Sequence, residues 1–112
     1  MVLVCCPNLM WFSKISMAAG PVGVDLVRAT QADPPPDVRG LLVDLSETEP
    51  AMRLIERHAG RIRIVAFGPH VEVETLAKAE ELGADRVVSR GELSKTLGAV
   101  LAWLDGADLT ER

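Results

Sequence analysis

Unbroken apolar runs of four to eight residues alternate along this chain with stretches of helical period. VLVCC at residues 2–6 reads as a buried strand, and Pro7-Asn8 breaks it. Asn8 is placed to cap a helix over residues 9–19, which Gly20-Pro21 stops. VGVDLVRA (22–29) and GLLVDL (40–45) read as the next two strands. In TEPAMRLIERHAG, Thr48 as cap, Pro50 in the first turn and Gly60 beyond the end predict a second helix. RIRIVAFG (61–68) is a fourth strand. VEVETLAKAEELG (71–83) is a helix whose acidic start suits the helix dipole, ended by Gly83. DRVVS (85–89) is a fifth strand, LSKTLGAVLAWL (93–104) a closing helix, and residues 105–112 a frayed tail.

The order is β-α-β-β-α-β-α-β-α, with no helix between the second and third strands. The connector there, TQADPPPDVR, holds three consecutive prolines, which a helix interior excludes. Strands of continuous Val, Leu and Ile are buried on both faces. That requires a parallel sheet covered by helices on each side, a three-layer α/β sandwich. Residues 1–104 make one domain.

Composition narrows the function. The chain has 112 residues, 48% hydrophobic and 25% charged, so it folds as one globular unit. Its net charge of −4 and the lack of a Lys/Arg block argue against nucleic acid and anionic membrane as partners. No apolar run reaches the roughly 20 residues of a membrane span. The apolar N-terminus lacks a cationic lead and reads as a strand rather than a signal peptide. Cys5 and Cys6 are adjacent, so they cannot staple distant segments or form a CxxC pair. A reduced, cytoplasmic protein is the expectation.

Five strands at this spacing, a strand ending in Asp44, and LGADRVVSR at 82–90 together resemble a response-regulator receiver domain over residues 1–104. The resemblance implies a flavodoxin-like sheet ordered 2-1-3-4-5. It also implies a pocket at the strand ends: an acid pair after strand one that holds Mg²⁺, a phosphoacceptor Asp after strand three, a Ser/Thr after strand four and a Lys after strand five. Mapped here, the acid pair is Cys5 and Cys6, the hydroxyl position is Gly68, and the Lys position is Arg90 followed by Gly91. Only Asp44 matches. Soft thiols do not replace carboxylates for a hard cation, and phosphoryl transfer depends on that cation. The expectation is a degenerate pocket of a pseudo-receiver, without metal or cofactor.

Within that pocket Asp44 is expected to pair with Arg90, since both lie at carboxyl ends of strands and a guanidinium suits a carboxylate. His70 follows strand four near the same rim. It could sense pH or bind a ligand, although a solvated loop histidine is the plainer reading. His58, at a helix end, is expected to complement the dipole. Cys5 and Cys6 point to opposite faces as core thiols. Leu9, Phe12, Ile15 or Ser16, and Ala19 form the core stripe of the first helix. Met10 and Trp11 are then candidates for a partner surface, and Trp103, one step off the core stripe of the last helix, is another. The function expected is a phosphorylation-independent signalling module, not an enzyme, that binds another signalling protein or itself as a possible homodimer. The alternative is an atypical response regulator phosphorylated on Asp44 in a two-component system.

Overall fold

A computed structural model describes residues 1–29, 36–69 and 72–107 of the chain. The five strands are β1 (Val2–Cys5), β2 (Leu26–Arg28), β3 (Gly40–Asp44), β4 (Arg63–Gly68) and β5 (Arg86–Ser89). The helices are α1 (Leu9–Ala19), α2 (Thr48–His58), α3 (Val73–Leu82) and α4 (Arg90–Leu104). All strand pairs are parallel, and the sheet order is β2-β1-β3-β4-β5. This is the expected flavodoxin-like arrangement.

Alternation along the strands divides the core in two. Val2, Val4, Leu42, Val65 and Phe67 face α1 and α4. Leu3, Leu41, Val43, Ile64 and Ala66 face α2 and α3. The apolar runs of β1, β3 and β4 are continuous because both faces are covered. Parallel pairing places every strand's carboxyl end at one edge, so Cys5, Asp44, Gly68 and Ser89 share that edge.

Several boundaries differ from the sequence reading, each for a local reason. The second strand is shorter than 22–29, because Gly20–Val22 form a 3-10 turn and Gly23 takes φ 68°. Thr48 does not cap α2. It opens the helix, and its Oγ1 donates to the carbonyl of Leu45. The closing helix begins at Arg90 rather than 93. Ser89 accepts from the Glu92 backbone N–H while the Glu92 carboxylate reaches back to Ser89, a capping box. Thr96, at φ −122°, kinks this helix. The start of the tail is not frayed. Asp105 pairs with the amino terminus, and the Ala107 N–H donates to the Ala102 carbonyl.

Gly40 is where the sheet meets the end of α4. A Cβ there would run into the Leu104 carbonyl oxygen. Gly40→Ala should therefore lower the unfolding free energy by about 2 kcal/mol or more in urea titration, as overpacking against backbone does. Gly98→Ala is the control. It lies inside α4, where its Cβ would meet Val22 at an ordinary 3.7 Å, so it should be neutral or gain about 0.5 kcal/mol.

Candidate functional site

Asp44 closes β3 at the carboxyl edge, and its side chain points to the α1/α4 face with Leu42 and Phe67. It is 1% exposed, the one buried charged side chain among the described residues. A buried carboxylate needs partners for both oxygens. Oδ1 accepts the Ser46 backbone N–H at 2.9 Å, a turn closed by the chain immediately after the strand. The same oxygen lies 3.6 Å from Nη2 of Arg90. Oδ2 faces the Cys6 thiol at 3.7 Å.

Arg90 reaches Asp44 from the far side of β4. Phe67 lies in register with both Asp44 and Val88, so β3 and β5 are two strand spacings apart, roughly 10 Å. A long side chain is required to cross that gap. Arg90 sits in the first turn of α4, two residues beyond Val88 and on the same face. Its side chain is 34% exposed, and its buried Nε has no hydrogen-bond partner. The pair is therefore closed on the carboxylate side and open to solvent on the guanidinium side, which screens it.

The two cysteines part as the alternation requires. Cys6 is buried in the α1/α4 core and Cys5 is half-buried on the α2/α3 face, both as free thiols. Burial, and then the Asp44 charge, push the Cys6 thiol up from 9.0 to about 11. Burial raises Cys5 as well, with Asp44 and Glu47 adding to it. Both shifts run away from the lowered pKa of a reactive thiolate. Gly68 is buried at the end of β4 and brings no hydroxyl to the edge. His70 lies outside the described residues.

The candidate contact residues separate. Met10 is 82% exposed, with Leu9 and Met17 beside it on the outer face of α1. Leu9 was expected in the core stripe. It is exposed because the buried face of α1 is set by Ile15 and Ala19, with Trp11, Phe12 and Ala18 packed against that core. Trp11 is half-buried, its ring 5.6 Å from that of Phe67, and Lys14 lies over its outer side at 4.9 Å. Trp103 is also half-buried. The guanidinium groups of Arg63 and Arg86 each sit 4.8 Å from its ring, and Arg63 donates to the carbonyls of Trp103 and Ala107. At the end of α2, burial and then the neighbouring Arg57 and Arg61 lower the His58 pKa, which disfavours its charged form.

Sequence reading missed Ser46 and the contact of Cys6 with Asp44. The spacing Asp44-Leu45-Ser46 carried the signal for the first, because an Asp side chain commonly accepts from the N–H two residues on. No sequence signal places Cys6 against Asp44. That depends on the register that sets Cys5 beside Val43.

The thiol shift has a sign that can be checked. Cys6 ionises less readily folded than unfolded, so the stability it contributes is complete below about pH 9 and falls away as pH rises toward 11. Urea unfolding of wild type should weaken over that window, and Cys6→Val should weaken less.

No protein-family model matches the sequence, and no curated protein matches it. Solved structures do match. A response regulator from Thermotoga maritima superposes with a TM-score of 0.73 at 14% identity, covering 95% of this chain and 97% of that one. The Mn(2+)-bound form of response regulator Rcp1 superposes with a TM-score of 0.72 at 14% identity, covering 96% of each. The chain has the flavodoxin-like fold of these response regulators.

Proposed function

We propose that this chain is a receiver-type signalling module that works by binding another protein, without metal-dependent phosphorylation of Asp44. The observation that carries this reading is the set of neighbours around the Asp44 carboxylate. Oδ2 faces a thiol where a metal-holding acid would be needed, and Oδ1 is occupied by the Ser46 N–H and Arg90. Phosphoryl transfer to a carboxylate requires a hard cation on oxygen ligands. Among the described residues no group of three or more His, Cys, Asp or Glu side chains is placed to hold one. On this reading Asp44 is the remaining acid of a retired pocket, tied to Arg90, and the chain is not an enzyme.

The binding surface proposed is the outer face of α1. Leu9, Met10 and Met17 expose apolar area there, with Lys14 the one charge on the helix. Flexible methionine side chains suit such a surface. Trp11 supports it from beneath by packing on Phe67, so Met10 is the better residue to change. No described helix is long and apolar enough to cross a membrane, and we place the module in the cytoplasm. A homodimer through α1 is the form this takes if the partner is a second copy.

The test is capture of partners from native lysate by wild type, Asp44→Asn and Met10→Asp. Asp44→Asn should retain the wild-type partners, and Met10→Asp should lose them at unchanged thermal stability. Loss with Asp44→Asn at unchanged thermal stability, with retention by Met10→Asp, would reverse the proposal and favour phosphorylation of Asp44.

A further inference from the structure

Two helices on opposite faces of the sheet carry exposed patches of complementary character. On α1 the residues turned away from the core include Met10, Ser13, Lys14 and Met17. Met10 and Met17 stand two turns apart, with Ser13 between them on the same side. The small serine leaves a shallow hollow of about 400 Å³, bounded by the two methionines, Lys14 and the edge of Trp11. Lys14 is the one charge on this helix. It lies over the Trp11 ring, and among the described residues no carboxylate pairs with it.

α3 has the opposite charge. Its inner side, Leu76, Ala79 and Leu82, packs on the α2/α3 core. Its outer side carries Val73 and Ala77, one turn apart, and Glu74, Glu80 and Glu81, with Lys78 the one cation. Among the described residues these three carboxylates enter no ion pair. Outside α1, the large apolar residues exposed on the described chain are Val22 and Val73, and of these Val73 is the one on an α-helix.

We propose that α1 of one copy of this chain docks on α3 of a second copy. Val73 and Ala77 enter the hollow between Met10 and Met17, and Lys14 meets the acids beside them. An α1-to-α1 pairing fits less well, because it sets Lys14 toward Lys14 with no acid between. α1 and α3 lie on opposite faces of the sheet, so the contact is heterologous. A docked pair leaves one α1 and one α3 free, and assembly continues head to tail. One helix pair buries less than a standard interface, which makes the association weak and concentration-dependent. The inference rests on the reading of α1 as a binding surface and names its occupant.

The test is a dilution series of the full chain labelled with nitrogen-15, from about 1 mM downward in about 0.15 M salt, followed by amide shifts. In wild type the amides of α1 and α3 should move together with concentration, and those of α2 should not. Met10→Asp is an exposed first-turn change that suits the helix dipole. It should weaken self-association about tenfold or more and still both sets of amides. Lys14→Glu, which leaves the methionines in place, should weaken it too. Unlabelled wild type added to labelled Met10→Asp should move the α3 amides and not those of α1, because only the wild-type α1 is intact. Movement of α1 alone in wild type, or of neither helix, overturns the proposal. So does an unmoved α3 in the mixture, or Lys14→Glu that associates as well as wild type. If wild type does not self-associate while Met10→Asp loses its lysate partners, this inference falls and the α1 reading stands. If wild type self-associates as described while Met10→Asp keeps its lysate partners, the self-contact stands and α1 is not the surface for other proteins.

Discussion

The burial of one carboxylate organises the carboxyl edge of this sheet. A charged Asp44 at 1% exposure is costly in a low-dielectric setting unless its oxygens are occupied. The chain meets that demand from three separate elements: the turn after β3, the residue after β1 and the first turn of α4. Ser46 supplies a backbone donor, Cys6 a thiol and Arg90 a charge. Satisfying Asp44 therefore fixes the relative positions of three strand ends. α4 begins at Arg90 rather than further along, and the Ser89–Glu92 box holds that first turn in place. Arg90 reaches its partner because its own helix starts early.

The same arrangement separates structure from contact on α1. Trp11 and Phe67 fill the space next to Asp44, so the aromatic bulk of the NLMWF stretch is divided between core and surface. Trp11 serves the core, and Met10, Leu9 and Met17 remain outside. Trp103 is likewise occupied, with the Arg63 and Arg86 guanidinium groups against its ring, and Arg63 also secures the end of α4. The aromatic residues stiffen the fold, and the methionines of α1 provide the exposed apolar area.

Much of this fold was legible in the sequence. Val/Leu/Ile runs could only be strands buried on both faces, while most of the proline-rich connector between β2 and β3, residues 30–35, lies outside the described residues. The strand order came from the receiver resemblance rather than from periodicity. Boundaries failed where local chemistry competed with pattern. Val22 looked like strand but belongs to a 3-10 turn, and Gly91 obscured a helix start that the S-x-x-E spacing at 89–92 announced. At the site, the pairing of Asp44 with Arg90 was legible because both residues fall at carboxyl ends of parallel strands. The thiol on Oδ2 was not, since it depends on the strand register that sets Cys5 beside Val43 and so brings Cys6 to Asp44.

A receiver fold whose central carboxylate is committed to structural partners should not turn over phosphoryl groups. The direct measurement is intact-mass analysis of the purified chain after incubation with acetyl phosphate and Mg²⁺, with a phosphorylatable receiver domain alongside. The account predicts an unmodified chain under conditions that label the control. Stoichiometric phosphorylation that disappears with Asp44→Asn would contradict it.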